Sequence, residues 1–190
     1  YQVGGNFSTI KNELVDLDDF TNDFIQHGDN IRTSVYPFRS EPGQPLYSYH
    51  LIPNMGIFQN QEQIDSYINS DGGKIQPNAR PGDLIFQDVN GDGRISDADR
   101  MFMGNAMPDF TYGINITMEY KNFDLMVFGQ GVSGVELFNG YKHTAYNAGL
   151  QGYNLDRRVL DAWTPENQDA SIPVLSTQDP NSNFGTASDW

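Results

Sequence analysis

The 190-residue chain has no cysteine, which removes disulfides, thiol nucleophiles and cysteine-ligated zinc or iron–sulfur centres together. Cations are scarce. Eleven Lys and Arg face 25 Asp and Glu, and the net charge of −14 opposes a polyanion, so nucleic acid is not an expected partner. No run of about 18 apolar residues occurs, which excludes a transmembrane helix, and Tyr1 opens mid-pattern with neither an initiator methionine nor a signal peptide. Catalytic signatures are missing as well: there is no nucleophile elbow, HExxH, Walker loop or dinucleotide fingerprint. His27, His50 and His143 lie apart without a partner motif, and a neighbouring acid pair such as Asp18 and Asp19 is a chance event among 25 acids. Nothing here supports an enzyme.

What is present reads as β structure with long loops. Twelve Phe, ten Tyr and 19 Gly accompany few long apolar periodic stretches. The opening YQVGGNFSTIKNELVDL places Tyr1, Val3, Phe7 and Thr9 on one face of a strand and Gln2, Gly4, Asn6 and Ser8 on the other. Prolines and glycines among scattered aromatics mark residues 18 to 50 as an ordered loop. Residues 59 to 70 predict a short helix capped by Asn60, with Ile64, Tyr67 and Ile68 on one face. A second helix is predicted near 154–163, capped by Asn154, with Leu155, Val159, Leu160 and Trp163 as its buried stripe. Loop aromatics such as Tyr141, Tyr146 and Tyr153 either pack their own loops or stack on a ligand.

The clearest pattern is TYGINITMEYKNFDLMVFGQGV, residues 111 to 132. A two-residue turn at Lys121-Asn122 sets Tyr120 opposite Phe123, Met118 opposite Leu125 and Ile116 opposite Val127, all apolar and all on one face. The other face is expected to be polar and wet, with Glu119 facing Asp124. Tyr112 and Tyr120 are about 26 Å apart along a strand, roughly 20 Å along the normal at a tilt of about 40°, close to the apolar band of an outer-membrane barrel. Spacing alone is equally met by a half-buried hairpin in a β-sandwich.

Upstream, DVNGDGRISDADR carries oxygen donors at alternate positions of a twelve-residue loop, residues 88 to 99. Asp88, Asn90, Asp92, the Arg94 carbonyl, Ser96 and Asp99 fill the ligand positions of an EF-hand-like calcium loop, with Gly93 at the sharp sixth position and Ile95 as its apolar pin. Asp99 stands where a longer Glu is usual, and the entering segment GDLIFQ reads as a strand. The competing reading is an Asx-rich turn without metal. A bound Ca2+ would be structural.

In order along the chain, GIFQNQEQI, RPGDLIFQDVNGDGRISDADRMFMGN, MPDFTYGINITMEYKNFDLMVFGQGVSG and LDAWTPENQDASIPVL resemble the carboxyl-terminal part of SusC/RagA-type TonB-linked outer-membrane proteins. That resemblance implies an all-β fold, part of a transmembrane antiparallel barrel with long extracellular loops containing short helices. Residues 1–17 would be a barrel strand, 18–107 an extracellular region with the calcium loop, 108–132 a transmembrane hairpin and 133–190 a second extracellular region. The implied function is uptake of an oligosaccharide or peptide through the outer membrane of a Gram-negative cell. The implied partners are a SusD-like surface lipoprotein, TonB acting through an amino-terminal part absent here, and outer-membrane lipid. The alternative is a secreted, calcium-stiffened β-rich module binding a glycan or protein, which requires a second sheet covering Ile114, Ile116, Leu125 and Val127.

Overall fold

The computed structural model describes residues 1–17, 23–27, 35–150 and 152–190, so Asp18 and Asp19 and the side chain of His27 lie outside the described residues. Among the described residues, nine strands occur in the order β1 (Gln2–Thr9), β2 (Ile25–His27), β3 (Phe38–Ser40), β4 (Ser48–Leu51), β5 (Asn54–Ile57), β6 (Leu84–Phe86), β7 (Met101–Asn105), β8 (Phe110–Tyr120) and β9 (Phe123–Ser133). Helix α1 (Gln61–Ser66) falls between β5 and β6, and α2 (Lys142–Ala145) follows β9. Sheet orders are β1-β8-β9, β2-β3-β4-β7 and β5-β6. The chain divides into two units, one of Tyr1–Ile25, Arg39–Ser48 and Gly104–Leu137, the other of Gln26–Phe38, Tyr49–Met103 and Phe138–Trp190.

The first unit holds the three-stranded antiparallel sheet. Tyr120 pairs with Phe123, Met118 with Leu125 and Ile116 with Val127, the register that apolar matching and a two-residue turn require. Lys121, not Asn122, adopts the left-handed backbone of that turn, at φ 55°. On the far side of β8, the opening strand joins in antiparallel pairing from Gln2–Thr117 to Thr9–Phe110. Small residues let large neighbours lie flat across this sheet. A Cβ at Gly131 would meet the Tyr112 ring and hydroxyl, and one at Gly113 would come within 2.8 Å of Asn6 Oδ1.

One expectation is corrected in this sheet. The face opposite Ile116 is polar on β1 and β8, with Gln2, Asn6, Thr111, Asn115 and Thr117, but β9 sets Met126, Phe128 and Val132 there, at 75, 64 and 60% exposure. The reason is that β9 is apolar on both faces between Leu125 and Phe128.

The second unit has its own core. Ile52, Ile57, Leu84 and Phe86 from its first half pack with Tyr146, Trp163, Ile172, Phe184 and Trp190 from its last. Segments flanking the hairpin therefore fold as one body, although the sequence reads as two separate loop regions. Asn60 caps α1 as expected, its side-chain oxygen accepting from Gln63 N at 2.9 Å, and Ile64 is buried beneath it while Ile68 is 47% exposed.

The helix expected near 154–163 is instead a 3-10 turn, Arg157–Asp161, capped by Asp156, which accepts from Arg158 N at 2.9 Å. Asp156 is a strong cap two residues inside the expected start. Three-residue spacing then buries Val159 and leaves Leu160 77% exposed, so the four-residue stripe never forms.

Candidate metal loop and exposed hairpin

Residues 88 to 99 close on themselves through their acidic side chains. Asp88 accepts from Gly91 N and Gly93 N, both at 2.8 Å, one on each carboxylate oxygen. Asn90 Oδ1 accepts from Asp92 N at 2.8 Å and Asp92 Oδ1 from Arg94 N at 3.1 Å, so each alternate side chain holds the amide two residues on. Ser96 caps the short 3-10 turn Asp97–Asp99 and forms a reciprocal capping box with Asp99. Asp99 is fully buried. Its Oδ1 accepts from Val89 N at 3.0 Å and Asn90 N at 3.3 Å and its Oδ2 from Ser96 N at 2.7 Å, which ties the last position of the loop to the second, third and ninth.

Two glycines permit this path. Gly91 and Gly93 have φ of 72° and 84°, and a Cβ on Gly93 would fall 2.7 Å from Asn69 Cβ. Asn69 was not singled out by sequence. It holds its own turn through Asp71 N and Gly73 N, and no spacing rule connects it to residue 93. Tyr67 is a second unanticipated support: its hydroxyl donates to Phe86 O at 2.7 Å and accepts from Asp88 N at 3.2 Å, at the loop entrance. Burial pushes its phenol pKa up. Ile95 packs against the main core of its unit, as its place in the loop predicts.

All six predicted ligand positions are thus in one loop, held by backbone bonds. Among the described residues, no three His, Asp or Glu side chains form a metal-holding group. The loop's donors are a mixture of three carboxylates, an amide, a hydroxyl and a carbonyl, the oxygen set calcium takes. An ionised carboxylate oxygen has two lone-pair sites, so the N–H bonds to Asp88 leave one on each oxygen. Asp92 is more contested: its Oδ2 accepts from Asn90 Nδ2 and Arg94 Nε, each at 3.3 Å. Desolvation would raise the Asp92 pKa, and the Arg94 and Asn90 hydrogen bonds override it, leaving the carboxyl below its usual range.

In the other unit the hairpin's matched apolar face stays open. Ile114, Leu125 and Val127 are 47, 51 and 47% exposed and Ile116 is half-buried, and among the described residues no second sheet packs on them. An exposed apolar face of this kind marks an interaction surface. None of the described helices is long and apolar enough to cross a membrane.

The described residues are thus mostly β, with one antiparallel sheet that leaves an apolar face open and one loop-rich body with its own core. No family model matches the sequence. The chain is similar to three proteins of Formosa agariphila: TonB-dependent receptor P3 (31% identical over 170 residues), TonB-dependent receptor P26 (30% over 172) and TonB-dependent receptor P39 (26% over 217). These alignments take in 88, 87 and 97% of the chain and 16, 16 and 20% of the relatives. The chain belongs to the TonB-dependent receptor family, and it spans less than a quarter of the length of the curated relatives it matches.

Proposed function

We propose that this chain is part of a SusC/RagA-type importer in a Gram-negative outer membrane, taking up an oligosaccharide or peptide with a SusD-like lipoprotein and TonB. The observation that carries the reading is the β8–β9 hairpin, whose Ile116–Val127, Met118–Leu125 and Tyr120–Phe123 pairs line an apolar face that stays largely exposed. Lipid suits such a face, and a short turn at Lys121-Asn122 suits the periplasmic side. Three strands cannot close a barrel, and an open edge is not tolerated in lipid, so β1 and β9 require neighbouring strands elsewhere in the whole protein. Residues 18–107 and 133–190 then lie outside the cell.

In this reading the 88–99 loop holds calcium through Asp88, Asn90, Asp92, Arg94 O, Ser96 and Asp99. The ion supplies no chemistry. It neutralises three carboxylates and stiffens the loop against the core that Ile95 joins.

Single cysteines at Leu125 and Asp124 of the full-length protein test the membrane reading. With a fluorophore on each, a lipid-borne quencher is expected to reach position 125 and spare position 124. Equal quenching at both, or at neither, would overturn it. Affinity capture from outer membranes is expected to bring a SusD-like lipoprotein along; its absence counts against the SusC/RagA assignment alone.

A further inference from the structure

A cleft of about 550 Å³ opens in the second unit, lined by Lys142, Tyr146, Arg158, Asp161, Asp169 and Trp190 among others. Lys142 Nζ sits 4.7 Å from the Trp190 ring centre and Arg158 Cζ 5.4 Å from that of Tyr146, and the two rings meet edge-on at 6.1 Å. Arg158 is already engaged: Nε and Nη2 donate to the two oxygens of Asp156 at 3.1 and 2.8 Å. Lys142 is not. Among the described residues no carboxylate comes within ion-pair distance of it and nothing accepts from its ammonium.

Lys142 is half-buried and lines the cleft. Desolvation pushes its pKa down, the Arg158 charge adds to this, and Asp189 offsets part of it. A partly desolvated cation without a counter-anion is costly, and it is anomalous in a chain of net charge −14. An anion in the cleft relieves that cost. Asp161 and Asp169, both exposed on its lining, disfavour a doubly charged phosphate and can accept from hydroxyl or ammonium donors of the same ligand.

We propose that this cleft binds a small ligand through a singly charged carboxylate placed on Lys142 Nζ. Its volume suits a molecule the size of a sugar acid or an amino-acid end. The site stands independently of the importer reading, because it needs only the fold of the second unit.

Titration calorimetry on the full-length protein, with glucuronate, alanine and glucose as probes, tests it. Glucuronate or alanine is expected to bind, and whichever does so identifies the source of the carboxylate; glucose is expected to bind at least about tenfold more weakly. Lys142→Gln should weaken binding by about ten- to hundredfold with an unchanged melting midpoint, while Lys142→Arg retains most of it. Binding should also fall at alkaline pH, as the ammonium loses its proton. Failure of both acids to bind, glucose binding equally well, or undiminished binding to folded Lys142→Gln would each overturn the proposal. Should Lys142→Gln fail to fold, Lys142→Arg and the pH profile decide.

Discussion

Glu119 and Asp124 stand directly opposite each other across the β8–β9 ladder, one pair removed from the Lys121-Asn122 turn. Both are exposed, so water screens a repulsion that would be severe in a core. Replacing Glu119 by Lys turns the repulsion into an attraction worth about 0.2–1 kcal/mol. The full-length protein carrying Glu119→Lys is expected to melt slightly higher at low salt, with the gain fading as salt rises. A lower midpoint would mean that this face needs negative charge.

Gly82 makes the second prediction. It has φ of 94°, donates to Phe58 O at 2.7 Å and accepts from Val174 N at 2.8 Å, and a Cβ there would lie 2.5 Å from Trp163 Cε3 and 2.6 Å from Val174 Cβ. Left-handed strain and overpacking of a buried Trp add, so Gly82→Ala should cost about 2–4 kcal/mol. Denaturant unfolding measures this, and a cost below about 1 kcal/mol would show that Trp163 repacks freely.

For the 88–99 loop, metal and turn separate by experiment. Asp99→Ala removes a fully buried carboxylate that three amides, those of Val89, Asn90 and Ser96, donate to, and should cost about 1–3 kcal/mol even without calcium. Calcium at about 1 mM should raise the wild-type midpoint, chelator should reverse this, and Asp92→Asn should blunt it. A midpoint indifferent to both calcium and chelator rejects the metal and leaves the turn standing.

Asp83 predicts a pH dependence. It is 1% exposed, and desolvation raises its pKa although Asn183 Nδ2 and Arg80 N donate to it at 2.8 and 2.7 Å. A folded pKa above the unfolded one means that the folded state binds the proton more tightly. Stability from this group is therefore greatest below the ordinary carboxylate value and falls as pH rises through the raised folded value. Asp83→Asn should remove that slope from a melting-versus-pH curve, and an unchanged slope would assign it to other groups.

Legibility from sequence followed the range of the interactions. The hairpin register could be read because a two-residue turn and strict alternation act over neighbouring residues, and the Asn60 cap and the Asp88-to-Asp99 donor pattern are equally local. Pairing of Val3 with Ile116 was not readable: no turn links them, and a strand apolar on one face fits many partners. Nor could the shared core be read, since Tyr146, Trp163, Phe184 and Trp190 follow no helical or strand period. Lys142 gave no signal either, because what distinguishes it is the lack of a counter-anion among the described residues.

The joined core has a consequence for how the chain folds. Ile52 bridges to Ser188, and Asp189 Oδ1 receives the amide of Asn54, a partner 135 positions away, with the whole β8–β9 hairpin between them. The second unit can be clasped shut only after the hairpin and everything down to its last residues have been made. Until then Leu84, Phe86 and Ile57 wait uncovered, so completion of this body is a late and slow step that leaves the nascent segment exposed to aggregation.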